Sequence, residues 1–139
     1  MYNEKHQESL PPHVARILVV DDSPVNRKVA ECLMQCMGFD VHVAANGREA
    51  VDAVQREEYA LILMDLQMPE IDGYEATRQI RRLEKPGTRL PIIAWSSWPP
   101  DLDAGDHLVA GMDDYLYKPV RLEILRSTVL RWIRRSGLR

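Results

Sequence analysis

The chain has 139 residues, 45% of them hydrophobic, with 21 acidic against 18 basic side chains and a net charge of -3. That is the length and apolar share of one ordinary globular domain, and the charge balance argues against a polyanionic tail or direct nucleic-acid binding. No run approaches the roughly 18 apolar residues of a membrane span, and Met1, Tyr2, Asn3, Glu4 and Lys5 do not open a signal peptide, so a cytoplasmic protein without membrane insertion is expected.

Residues 1–14 are polar and aperiodic, end near Pro11 and Pro12, and read as a flexible N-terminal tail; residues 15–135 read as the folded domain and 136–139 as a short C-terminal tail. Residues 17–20 form a short, wholly apolar strand. Residues 24–37 follow as a helix with Ser23 as N-cap and Pro24 at its first position. Val25, Val29 and Leu33 recur at helical spacing there and are expected on the core face, the alternative being that Val25, Asn26 and Val29 dock a partner helix. Cys32 and Cys36 lie four apart on the same helix, complete no metal set, and are expected to be buried or half-buried free thiols.

The alternation recurs as strand 40–44 and helix 47–57, then strand 60–64 and helix 73–83. Strand 91–95 precedes only a weak helical segment at 104–110, and strand 115–117 precedes helix 122–134. Five apolar strands, each followed by a helix of crossover length, imply a parallel sheet covered on both faces: a three-layer α/β, (βα)5 flavodoxin-like domain of strand order 2-1-3-4-5. In that order the first and third strands are neighbours at the switch point, where ligands bind beyond the strand ends.

Chemistry collects at those ends: Asp21 and Asp22 after the first strand, Asp65 after the third, Ser96 after the fourth and Lys118 after the fifth. Three converging carboxylates repel one another, so at least one should have a raised pKa unless a cation sits among them. Magnesium suits such a set, with Asp22 and Asp65 as direct ligands and Asp21 acting through water. Lys118 offers a point charge for a carboxylate or a phosphoryl oxygen, and Ser96 offers one hydroxyl. With these partners an aspartate carboxylate is a competent nucleophile towards phosphorus, and the product would be an acyl phosphate on Asp65.

The segments 17–22 (ILVVDD), 64–73 (MDLQMPEIDG), 91–94 (PIIA) and 111–120 (GMDDYLYKPV) together resemble the signature blocks of receiver domains of two-component signalling systems, over residues 15–134. The resemblance implies Asp65 as phospho-acceptor, Asp21 and Asp22 as the acid pair, and Gln67 as donor of a backbone carbonyl to Mg2+. It further implies Ser96 as switch hydroxyl, Tyr115 as switch aromatic, Lys118 as phosphate-binding lysine, and a cis peptide bond from Lys118 to Pro119. The run 65–82 (DLQMPEIDGYEATRQIRR) is most similar to receivers of hybrid sensor histidine kinases, which implies a histidine kinase or a histidine phosphotransfer domain as partner. Dimerisation on phosphorylation is left open. Such a domain catalyses its own phosphorylation and dephosphorylation, and kinase activity would require a longer hybrid chain.

The loop after the fourth strand departs from the family pattern, running Trp95, Ser96, Ser97, Trp98, Pro99, Pro100. Two prolines should stiffen it and delay the following helix. Gln67 and Trp98 occupy the positions that tune phosphoryl lifetime in the family, and Trp98 is expected to shield the acyl phosphate from water. The same loop supports the alternative of a pseudo-receiver that binds partners without phosphorylation. An aspartyl-phosphate phosphatase or a flavin protein fits less well, because Asp65 lacks a second acid at Asp-x-Asp spacing and acids after the first strand would repel a flavin phosphate. Arg126, Arg131, Arg134, Arg135 and Arg139 suit the negative end of the last helix, and His6, His13, His42 and His107 are assigned no chemistry.

Overall fold

The structure, a computed structural model, describes residues 14–135. Five strands, β1 (Arg16–Val20), β2 (Asp40–Ala44), β3 (Leu61–Met64), β4 (Ile92–Ser96) and β5 (Asp114–Tyr117), form one sheet in the order β2-β1-β3-β4-β5. Every pairing is parallel. The helices are α1 (Pro24–Cys36), α2 (Gly47–Arg56), α3 (Gly73–Leu83), the short α4 (Pro100–Asp103) and α5 (Asp106–Ala110), and α6 (Leu122–Arg135).

The pleat sorts the apolar strand residues into two layers. Ile17, Val19, Leu61, Leu63, Ile93, Trp95 and Leu116 face α1 and α6, where Ala30, Met34, Leu125 and Val129 meet them. Leu18, Val20, Ile62, Met64, Ile92 and Ala94 face α2 and α3, where they meet Ala50, Ala76 and Ile80. Strands buried on both faces cannot alternate apolar with polar residues, which is why they read as continuous apolar runs. Each fully buried aliphatic side chain contributes about 1.5–3 kcal/mol relative to exposure.

The helix starts follow local chemistry. Ser23 Oγ accepts from Asn26 N–H, Asn46 from Glu49 N–H and Asp72 from Glu75 N–H, so α1, α2 and α3 each open on a side-chain cap. Glu49 Oε1 in turn accepts the N–H of Ala45, the residue before the cap, at 2.7 Å, so a second backbone donor at this helix start is satisfied.

Three expectations need correction. Val25 and Val29 are 70% and 49% exposed, because the stripe of α1 that meets the sheet is Ala30 and Met34 with Leu33 at its margin. Cys32 and Cys36 are exposed rather than buried for the same reason. Pro99 and Pro100 do not delay the next helix: Pro100 stands at its first position, where a missing N–H costs nothing, and the segment divides into α4 and α5 at Ala104 and Gly105, both left-handed.

Candidate functional site

The register builds the site. β1 pairs with β3 so that Val20 lies beside Met64, and Asp65 N–H continues the ladder by donating to Val20 O at 2.9 Å. Asp21 and Asp65 therefore leave neighbouring strands at the same height. One oxygen from each of Asp21, Asp22 and Asp65 lies within 4.8 Å of the others; Asp21 and Asp65 are buried and Asp22 is exposed. The cluster opens to solvent on the Asp22 side.

Asp65 is held from behind. Its Oδ1 accepts Gln67 N–H at 3.3 Å, and Gly73 N–H closes the loop by donating to Leu66 O at 3.0 Å. A side chain at position 73 would place its Cβ 2.1 Å from Asp65 O, so only glycine lets α3 begin against the Asp65 backbone. Between them Glu70 takes a left-handed φ of 69°, a conformation that costs a non-glycine residue about 1–2 kcal/mol.

From the other side β4 and β5 deliver Ser96 and Lys118. Ser96 lies opposite Tyr117 in the register and its carbonyl accepts Lys118 N–H at 2.7 Å. The Lys118–Pro119 bond is cis, as expected. Lys118 Nζ donates to Asp21 Oδ2 at 2.7 Å, so the lysine is paired with the buried acid of the pair. Trp95 Nε1 donates to that same oxygen at 3.1 Å. Asp21 Oδ1 accepts Ser23 N–H at 2.9 Å, and Arg27 donates to the Asp21 carbonyl at 2.8 Å.

Burial pushes the Asp65 carboxyl from 3.8 up to about 7; Asp21 and Asp22 push the same way, against Lys118 and the Gln67 N–H. Burial is the larger cause, and the mutual repulsion expected of three converging acids adds to it. The donor set is all oxygen and dominated by carboxylates, which fits a hard divalent cation and no soft one.

The loop after β4 carries the remaining residues. Ser96 is fully buried, and its Oγ accepts Trp98 N–H at 3.0 Å. Tyr115 Oη donates to Trp98 O at 2.6 Å, so Ser96 and Tyr115, the hydroxyl and aromatic expected to switch together, are both bonded to the backbone of Trp98. Trp98 is half-buried and, with Gln67, Met68, Pro69 and Tyr74, lines a shallow cleft of about 390 Å³ beside Asp65.

Two arrangements here were not read from the sequence. Trp95 was counted as the end of the fourth strand and the start of the unusual loop, and nothing in its spacing announces a bond to Asp21 across the sheet. His107, assigned no chemistry, has its Nδ1 paired with the buried Asp103 Oδ2, while Tyr74 Oη donates to Asp103 Oδ1 at 2.6 Å. Burial pushes the Asp103 carboxyl up, but the bonds from Tyr74 and His107 outweigh it and hold the group below its ordinary range. The His107 ring packs edge-on against Tyr115, with centroids 5.2 Å apart. The spacing of Asp103 and His107, four residues apart, was the available signal.

A doubly covered parallel sheet with an acid triad, a hydroxyl and a lysine at its carboxyl edge defines a phospho-accepting signalling class. The model of the response regulator receiver domain matches residues 17–130, and the chain belongs to that family. It is 39% identical over 128 residues to the sensor histidine kinase GacS of Pseudomonas protegens, covering 91% of this chain and 14% of that protein. It is 45% identical over 119 residues to histidine kinase CKI1 of Arabidopsis thaliana, covering 74% of this chain and 11% of that one. The chain thus spans a small fraction of the curated relatives it matches. Among solved structures, the receiver domain of a Pseudomonas aeruginosa sensor histidine kinase, with magnesium coordinated in its active site cleft, is 42% identical. The match has a TM-score of 0.79 and covers 86% of this chain and 98% of that one. The CKI1 receiver complexed with Mg2+ and BeF3- is 40% identical, with a TM-score of 0.73, over 87% of this chain and 90% of that one. Among the described residues no helix is long and apolar enough to cross a membrane.

Proposed function

We propose that this chain is a phosphorelay receiver in which Asp65 takes a phosphoryl group from a phosphohistidine of a kinase or histidine phosphotransfer domain. The observation that carries the reading is the convergence of Asp21, Asp22 and Asp65 with Lys118 at the edge where β1 and β3 end. Residues 15–135 form the receiver unit on this reading, and its place is the cytoplasm.

Asp22, Asp65 and the Gln67 carbonyl would hold Mg2+, with Asp21 acting through water; the ion supplies positive charge that offsets the carboxylates and the phosphoryl oxygens. The acceptor oxygen of Asp65 attacks phosphorus as the bond to the donor imidazole nitrogen breaks, and that nitrogen keeps the electron pair. Lys118 holds one phosphoryl oxygen and Ser96, released from Trp98 N–H, donates its hydroxyl to another. Tyr115, tied to the Trp98 carbonyl, follows that loop and alters the surface around it. Trp98 beside Gln67 narrows the approach of water and lengthens the life of the acyl phosphate.

The exposure of Val25 and Val29 on α1 supports a docking face for a helix of the donor beside the acceptor. Neither membrane nor nucleic acid is a partner on this reading.

Intact mass after incubation with magnesium and acetyl phosphate, run beside Asp65→Asn, tests the proposal. One phosphate of added mass, absent in the variant and with chelator, is expected. No uptake from acetyl phosphate or from a phosphohistidine donor would replace it with the pseudo-receiver reading. A Trp98→Ala protein with an unchanged dephosphorylation half-life would remove the shielding role alone.

A further inference from the structure

Trp95 touches both members of the ion pair beside the acceptor. Its indole N–H donates to Asp21 Oδ2 at 3.1 Å, and Lys118 Nζ donates to that same oxygen at 2.7 Å while lying 5.5 Å from the indole ring centroid. Asp21 is 0% exposed and Trp95 4%. The ring belongs to the buried core layer that also holds Ile17, Val19, Leu116 and Leu125, which restricts the direction in which the N–H points.

Lys118 has two tasks in phosphoryl transfer: it neutralises Asp21 beforehand and binds a phosphoryl oxygen afterwards. A buried carboxylate oxygen stripped of its donor is costly, since the desolvation already suffered is no longer offset. Among the described residues Lys118 and Trp95 are the two donors to Asp21 Oδ2, and only Trp95 stays there if the ammonium moves.

We propose that Trp95 is a positioning residue for phosphoryl transfer: its indole N–H remains on Asp21 Oδ2 and so frees Lys118 to reach the phosphoryl group. This rests on the receiver reading above. The aromatic face adds attraction for the ammonium along its path, so the lysine is steered between two partners rather than released into solvent.

Trp95→Phe removes the N–H and keeps a ring in the core. Lys118 is then held on Asp21 more tightly. The rate of Asp65 phosphorylation by acetyl phosphate at saturating magnesium should fall roughly tenfold, the loss of one hydrogen bond to a charged group. The magnesium Kd from isothermal titration should change by less than about threefold, because Asp22 and Asp65 are unaltered. A second reading needs no variant: in the 15N-labelled wild-type protein the Trp95 indole proton should exchange slowly with solvent, and should stay protected after magnesium and beryllofluoride are added.

An unchanged rate in Trp95→Phe overturns the proposal, as does a rate that falls in parallel with magnesium affinity, which marks a mere scaffold. An indole proton that exchanges like an exposed one, or loses protection with beryllofluoride, overturns it too. Wild-type protein that takes no phosphate from either donor class would bring down the receiver reading and this inference together; phosphorylated wild type beside an unimpaired variant would bring down this inference alone.

Discussion

Replacing Asp65 with asparagine should stabilise the metal-free protein at neutral and alkaline pH while abolishing phosphate uptake. Burial raises the Asp65 carboxyl from 3.8 to about 7, with Asp21 and Asp22 adding to it. For an acid whose folded pKa lies above its unfolded value, the fold favours the protonated form. Stability is therefore intact below the unfolded pKa and is lost as pH rises from 3.8 towards 7. The gap corresponds to about 4 kcal/mol if fully expressed. Water enters on the side of the exposed Asp22, and the carboxylates can turn apart, so about 1–2 kcal/mol should remain. Asparagine keeps the shape and carries no charge. Urea unfolding with chelator from pH 5 to pH 8 would show Asp65→Asn as the more stable protein at pH 8, with an advantage that shrinks on acidification. A variant no more stable than wild type at pH 8, or one whose advantage grows as pH falls, would refute the reasoning.

Magnesium should raise the wild-type melting temperature by occupying the folded state alone, worth about 2.7 kcal/mol at a hundredfold excess over Kd, and Asp22→Asn should shrink that gain in a thermal melt. Leu63→Ala, at a fully buried position between β1 and β4, should cost about 2–5 kcal/mol in urea unfolding. Arg81→Ala should cost about 1–3 kcal/mol by the same assay, because the bonds to Glu84, Leu90 O, Gly111 O and Asp113 are lost, while Arg89 and Ile92 N–H stay on the Asp113 carboxylate. Asp103→Asn should lower stability at neutral pH. The folded Asp103 is held below 3.8, so the wild-type advantage is present above that value and disappears as pH falls through the folded pKa; an equal deficit at pH 3 and pH 7 would contradict the pairing with His107 and Tyr74.

What the chain disclosed beforehand followed from one-dimensional signals. The strands declared themselves because burial on both faces leaves no polar alternation, and Asp21, Asp22, Asp65 and Lys118 declared themselves because strand ends fall at fixed places in such a sheet. Helical spacing was weaker evidence: it showed that Val25, Val29 and Leu33 share a stripe of α1, yet Ala30 and Met34 are the residues that meet the sheet. Ala30 is a small side chain at the approach of helix to sheet, and a reading that follows bulky branched residues passes over it. The Asp103, His107 and Tyr74 cluster was hidden differently, since its members come from α3, α4 and α5 and the segment is too short for a periodic signal. Trp95 needed three dimensions altogether: residue 95 reaches residue 21 only after β3 has been placed between their strands.

The tight seat of Gly73 under the Asp65 carbonyl braces the backbone behind that side chain. With 2.1 Å between a hypothetical methyl group and that oxygen, the backbone behind the acceptor has nowhere to retreat. Newly added bulk on Asp65 must then be accommodated forwards, across the gap to Ser96 and Trp98, where Ser97 is open to solvent. The direction in which the domain can give is thus chosen by its stiffest point: on the receiver reading, a group added to Asp65 would press on the opposite loop, because the near side is already in contact.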